Sequence, residues 1–348
     1  MAPRSPAAHA AWLGGTVEAA LDPDLPIVDP HHHLWDHIAP AYLLDDLLAD
    51  TTQGHNVRAT VFIECGWGWD ASAAPELVAV PETARVAGLA TESECRDGAV
   101  IAKIVGHADL RYGAAATGRA LDALTVAGEG RFVGIRHATA WDPDPQISNH
   151  RTDPIPHLMA DVTWRAGFRE LAKRSLTYDA WLYHPQIPEL RSLAREFPET
   201  PMVLDHLGGP LAVRSYRGRD AEVRAAALAS LRDLAGCPNV SVKLGGIGMG
   251  IMGGAWSKQP EPPNSEQLAA HWSEYVRAVI DLFGTQRCMF ESNFPVDRES
   301  CSYVVLWNAF KRIVADTSPF EKEQLFSGTA SRFYGIRPSL LEARSSTL

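Results

Sequence analysis

No run of apolar residues in the chain reaches the roughly 18 that a membrane-spanning helix needs. The opening MAPRSPAAHAAWLGG has no apolar stretch long enough for a secretory leader. No CxxC pair occurs among the cysteines at 65, 95, 237, 288 and 301, and their number is odd, so reduced thiols in a cytosolic protein are expected. Positive charge is scarce: 32 Lys and Arg stand against 42 Asp and Glu, a formal charge of −10. That balance excludes nucleic acid or an anionic membrane as the main partner, while leaving room for a local positive patch around a small acid. There is no GxSxG elbow, no cysteine carries the signature of a covalent nucleophile, and no solenoid-type repeat is present.

What the sequence does contain is a series of eight short apolar runs, each closing on a polar or Gly/Pro cluster. They are PIVDPHHH (26–33), ATVFIEC (59–65), IAKIVGHADL (101–110), FVGIRHA (132–138), TYDAWLYH (177–184), PMVLDHLGG (201–209), NVSVKLGG (239–246) and CMFESNFP (288–295). Segments of 3.6-residue periodicity lie between them, for example AEVRAAALASLRDLA and SEQLAAHWSEYVRAVIDLFG. Strands alternating with helices specify a parallel sheet, because each crossover needs a covering helix. A doubly wound sheet would announce itself with a GxGxxG turn after its first strand, and here that strand ends in three histidines instead. The expected fold is a single-domain α/β protein of the (β/α)8 TIM-barrel type, with an N-terminal extension over 1–25, the barrel over 26–336 and a tail over 337–348. Two connections are long for βα loops, 141–164 after strand four and 246–265 after strand seven. The second, rich in Gly with Met and Trp, has the composition of a mobile lid.

The chemistry is expected at the C-terminal ends of the strands. His31 and His33 are two apart on a strand and so share a face, with His32 directed to the helical layer. Neutral imidazoles converging in this way are suited to a divalent metal. His184 and His206 stand at the ends of strands five and six. Asp205 should point away from the axis, as a supporting carboxylate rather than a ligand. Ten tryptophans are present, of which Trp35, Trp67, Trp69, Trp141 and Trp181 cluster near strand ends, where some would wall an apolar pocket.

Taken together, IVDPHHHLWD, GIRHATAWD, YDAWLYHPQIPEL, VLDHLGGP, VKLGGIGM and FESNFPVD resemble the amidohydrolase superfamily. The closer resemblance is to its amidohydrolase-related branch of sugar lactonases and pyrone-dicarboxylate lactonase, over about residues 26 to 336. The resemblance implies a barrel with a mononuclear or metal-free site. It implies His31, His33 and His184 as metal ligands, His184 and His206 as catalytic histidines, and Arg136 as the residue meeting a substrate carboxylate or carbonyl through its planar fork. His137, Trp35 and Trp141 fall among the substrate-binding candidates. One departure stands out. Where the branch ends strand eight with a water-activating aspartate, this chain has Asn293, and an amide is not a base near neutral pH. Glu291, two residues back, and Glu64, at the end of strand two, are the alternative carboxylates. No lysine ends strand four, so a binuclear centre bridged by a carbamylated lysine is not expected, and Lys243 on strand seven is the well-placed lysine.

The reading at this stage is a hydrolase that opens a lactone of a small organic acid with activated water, aided by one divalent ion, zinc or manganese, if the ion is held at all. A non-oxidative decarboxylase on the same barrel and a lapsed barrel that only binds a small acid are the alternatives. A small acidic or lactone substrate is the expected partner, and self-association into a homo-oligomer is allowed.

Overall fold

Apolar, β-branched stretches make the staves of the fold. In the computed structural model, which describes residues 4–147 and 151–341, eight strands run β1 (Ile27–His32), β2 (Val57–Ile63), β3 (Val100–Gly106), β4 (Phe132–Arg136), β5 (Thr177–Ala180), β6 (Met202–Leu204), β7 (Val240–Leu244) and β8 (Cys288–Phe290). All neighbouring pairs are parallel and follow sequence order. The sheet closes on itself where β8 returns to β1, through His33 N donating to Phe294 O at 2.7 Å and Asn293 N donating to His31 O at 2.9 Å. This is the (β/α)8 barrel that the alternation of strand and helix predicts.

Residues on each strand divide between two layers. Val28, Ala59, Val61, Ile63, Val105, Val203 and Met289 fill the inside, and the opposite faces pack against the helices in a second, larger apolar cluster. The N-terminal end of the barrel is plugged by the segment around the helix Thr329–Tyr334, which brings Ala330, Tyr334 and Ile336 into the interior cluster. With the bottom sealed by apolar contacts, only the C-terminal mouth is left for chemistry.

The long loop after β7 is less free than its composition suggests. Its outer half is tied to the N-terminal extension: Trp12 Nε1 donates to Gln259 O at 3.1 Å and Thr16 Oγ1 to Pro262 O at 3.0 Å. The guanidinium of Arg4 reaches Ser257 O and Gln259 O. These contacts anchor the outer half of the loop to the extension. In the loop after β4, residues 148–150 lie outside the described residues, as do 1–3 of the extension and 342–348 of the tail. Among the described residues no helix is long and apolar enough to cross a membrane. All five cysteines are free, four of them buried.

Candidate active site

The strand-one histidines owe their direction to a bulge. Asp29 pairs with Thr60 but His32 with Phe62, so three residues of β1 advance against two of β2 around Pro30. The insertion resets the alternation: Val28 faces inward below it, and His31 and His33 face inward above it. Asp29 and His32 are left in the outer layer. There Asp29 accepts from Ser292 N at 2.9 Å and Tyr303 Oη at 3.0 Å, and His32 Nε2 meets Thr60 Oγ1 at 3.0 Å.

A charged layer lies beneath the histidines. Lys243, fully buried on β7, donates to Asp179 Oδ2 at 2.6 Å and lies 3.1 Å from Asp205 Oδ1. Tyr334, rising from the plug, donates its phenol to Asp179 Oδ2 at 2.7 Å. Burial alone would lower the Lys243 ammonium, but Asp179, Asp205 and Glu291 outweigh it and raise its pKa. Asp179 is pushed up to about 6, because burial exceeds even the pull of Lys243. Three carboxylates thus face one ammonium, an excess of negative charge in a site without solvent.

Above this layer four histidine and carboxylate groups converge. His31 Nε2 and His33 Nε2 are 3.2 Å apart, and the His31 and His206 ring centroids are 4.5 Å apart. Hydrogen-bond partners fix two of the tautomers. His33 Nδ1 lies 2.8 Å from the carbonyl of Ile63 and must donate to it, so its Nε2 carries a bare lone pair. His206 Nδ1 lies 2.6 Å from Glu291 Oε1 and donates to it, which leaves Nε2 as the nitrogen that can face the centre. Burial, followed by the nearby cations, holds His31 and His33 well below the ordinary histidine range, in the neutral form that ligates metal. Lys243 Nζ reaches His31 Nδ1 at 3.1 Å, and Glu291 Oε2 lies 2.9 Å from the same nitrogen.

This donor set fits a divalent cation. His31, Asp205 and His206 offer ligand atoms that all lie within 4.8 Å of one another. Neither oxygen of Asp205 nor Oε2 of Glu291 accepts a well-formed hydrogen bond, although Lys243 Nζ lies 3.1 Å from Asp205 Oδ1 and His31 Nδ1 2.9 Å from Glu291 Oε2, so these buried oxygens keep acceptor capacity for a cation. Two or three nitrogen and oxygen donors around one point, each braced by an outer partner such as Glu291, are the usual makings of a zinc or manganese site.

Asp205 contradicts the sequence expectation that it would turn away. It follows Val203 on the inner face, so alternation carries it inward, and the strand ends there. His206 then takes φ +52° and Leu207 φ +57°, left-handed conformations that break the alternation and swing His206 inward as well. Non-glycine residues in this region are strained and persist where surroundings over-determine them. Here Trp181 stacks edge-on to His206 at 4.8 Å, and Gly246 packs so tightly that a Cβ there would lie 2.7 Å from His206 Cβ.

Arg136 faces inward from β4, held by Glu64: Nε donates to Glu64 Oε1 at 2.7 Å and Nη2 to the Glu64 carbonyl at 2.6 Å. Its remaining nitrogen, Nη1, is 3.3 Å from His31 Nε2. Glu64 also bonds Arg151, so it is engaged as an anchor for two arginines. Arg151 in turn lines a cavity of about 520 Å3 beside the loops after β2, β3 and β4, together with Trp69, His107, Asp109 and Arg111.

Several expected site residues stand elsewhere. His137 follows the inward Arg136 and therefore faces out, where its Nδ1 accepts from Leu110 N at 3.1 Å and Trp164 Nε1 at 3.2 Å. His184 lies four residues beyond the end of β5, in a short turn where its ring packs against Tyr216 and Leu211 N reaches its Nδ1 at 3.4 Å. It is not part of the group formed by His31, Asp205 and His206. Trp141 N donates to Gln186 Oε1 at 3.0 Å, and Trp35 stacks on His33 at 5.9 Å, at the mouth. Asn293, at φ +54°, directs its amide to Asp297 Oδ1 at 2.8 Å. Lys243 and Asp179 were the residues with no role assigned from sequence; their inward positions on β7 and β5 were the available signal.

The chain matches the amidohydrolase family over residues 28–336. An uncharacterized protein of Sinorhizobium fredii, y4mH, is 32% identical over 339 residues, covering 90% of this chain and 99% of that relative. An L-fucono-1,5-lactonase of Burkholderia multivorans is 26% identical over 331 residues, covering 91% of this chain and 98% of that protein. Among solved structures, an amidohydrolase of Burkholderia multivorans with bound HEPES superimposes with a TM-score of 0.68 at 24% identity, over 89% of this chain and 99% of that one. A second crystal form of it, with bound zinc, gives 0.66 at 23% identity over the same shares. These structural likenesses speak for the barrel, and the sequence match speaks for the family: the chain belongs to the amidohydrolases and is a hydrolase.

Proposed function

We propose that this hydrolase opens a lactone of a small organic acid, with one divalent ion held by His31, Asp205 and His206. The observation that carries the reading is the cluster of His31, Asp205 and His206 at the mouth of the barrel, with buried carboxylate oxygens that accept no hydrogen bond beside a neutral His31. The L-fucono-1,5-lactonase relative adds weight to a cyclic ester as substrate, and the zinc-bound solved structure to zinc as the ion.

When bound, such an ion supplies a Lewis acid and lowers the pKa of water near it. The rest of the chemistry belongs to the chain. Glu291, through His206 Nδ1 at 2.6 Å, locks that imidazole with Nε2 toward the centre. Asp205, whose two oxygens accept no hydrogen bond and rest against Lys243 and Arg136, is the group that would take the proton of an attacking water; Glu291 has Oε1 engaged by His206 and Oε2 2.9 Å from His31 Nδ1. Arg136 is fixed on two of its three nitrogens by Glu64, and Nη1, 3.3 Å from His31 Nε2, faces the centre, where it would meet the carbonyl oxygen or a substrate carboxylate as charge develops. Trp35 and Trp181 flank the histidines and limit water around them. The cavity beside Arg151 would take the part of the substrate remote from the ester.

A panel of sugar-acid and aromatic-acid lactones, assayed with and without chelator, tests the proposal. Ring opening that is lost on chelation and returns with zinc or manganese is the expected result. Release of carbon dioxide from a carboxylated substrate would move the assignment to decarboxylation, and tight ligand binding without turnover on any substrate would make the barrel a binding protein.

A further inference from the structure

Beyond the residues already given roles, a fully buried carboxylate stands at the end of the β8 loop. Asp297 Oδ1 accepts from Asn293 Nδ2 at 2.8 Å, and Asp297 Oδ2 accepts from Gly248 N at 2.8 Å. Each partner leads into the site. Asn293 N donates to the carbonyl of His31 at 2.9 Å. Gly248 belongs to the glycine-rich loop after β7, two residues on from Gly246, which packs against His206. Contact between the loops is close: a Cβ on Gly248 would lie 2.8 Å from the Asp297 carbonyl oxygen, and Ser300 Oγ donates to Gly248 O at 2.5 Å.

We propose that Asn293 and Asp297 act as one positioning pair, an amide donor clasped to a buried carboxylate, that holds the inner half of the β7 loop against His206 and fixes which way the Asn293 amide is turned. The pair explains why position 293 is an amide. With a carboxylate already at 297 and 2.8 Å away, position 293 must donate, and an aspartate there would set two buried acids against each other. The clasp also gives the left-handed His206 its support, since Gly246 can press on the ring only while Gly248 is tethered. Neither residue needs to touch substrate for this; they act through His206 and through the loop.

The kinetic half of the test rests on the lactonase reading, and the exchange half does not. Asn293→Asp should lower kcat about a hundredfold with KM changed by no more than a few-fold, since binding groups are untouched while His206 is displaced. It should also speed deuterium uptake by residues 246–254. In the double variant Asn293→Asp with Asp297→Asn, the amide now at 297 can donate to the carboxylate now at 293 and still accept from Gly248. It should regain at least about tenfold in kcat, the scale of one restored buried hydrogen bond, together with the slow uptake. Asp297→Asn alone forces the Asn293 amide to turn over and should lower kcat about tenfold by the same measure, which keeps a readout if Asn293→Asp does not fold. A double variant no better than Asn293→Asp in either kcat or deuterium uptake, or an Asp297→Asn variant with unchanged kcat and uptake, overturns the pair. If the unaltered protein opens no lactone, the lactonase reading fails, and the deuterium uptake of the three variants still decides the clasp.

Discussion

Replacing His31 and His33 together by alanine should lower kcat/KM for a lactone by at least about a thousandfold while the protein still melts cooperatively. The size of the loss follows from what the two rings do. His31 belongs to the donor set around the centre, and His33, 3.2 Å from it, presents a bare Nε2 to the same space. Loss of metal-assisted water activation and of transition-state charge stabilisation at one point removes several kcal/mol of barrier lowering. Fold is spared because barrel-mouth positions serve chemistry, whereas the apolar plug around Tyr334 and the interior Val and Ile residues hold the barrel. Steady-state kinetics beside a thermal melt followed by circular dichroism reads both halves. Activity within tenfold of the original enzyme would mean that the centre lies elsewhere.

The second large effect concerns stability. Lys243→Met should destabilise the folded chain by about 3–5 kcal/mol, the usual consequence of stripping one partner from a buried ion cluster. Asp179 and Asp205 would be left without their ammonium, at 2.6 Å and 3.1 Å in the present structure, and no solvent reaches either. The deficit carries a pH signature. The Asp179 carboxyl already stands at about 6 in the folded protein, raised by burial above its ordinary 3.8. A carboxyl raised on folding contributes stability at low pH and loses it as pH rises through the folded value. Without Lys243 the folded value climbs further, so the variant's deficit should be smaller at pH 5 than at pH 8. Urea unfolding at the two pH values checks this, and adding Asp179→Asn should recover part of the loss. A midpoint equal to that of the original protein would show that the cluster is not electrostatically coupled.

Much of the fold was legible because strand and helix periodicities differ and alternate eight times. The directions of side chains were legible only as far as strands stay regular. Alternation placed His31 and His33 on one face and His32 on the other, and the bulge at Pro30 turned that face inward. The same rule, applied to Arg136 on the inner face, sends His137 outward, into the hydrogen bonds from Leu110 N and Trp164 Nε1. At β6 the rule ends with the strand at Leu204: Asp205 still points inward, and His206 follows only because two left-handed residues rotate the chain. No pattern in VLDHLGG foretells that rotation except its paired glycines. The same limit applies to His184, since β5 stops at Ala180 and the apolar run that continues to Tyr183 is loop, which puts His184 past the strand rather than at its end. The Asn293–Asp297 clasp spans one turn of irregular chain, where periodicity says nothing.

Anomalous scattering from a crystal of the protein equilibrated with zinc, measured across the zinc absorption edge, addresses the central claim most directly. A single strong peak contacted by His31, Asp205 and His206 is predicted. A crystal with no peak at the barrel mouth, or with zinc bound only to surface groups, would contradict the account.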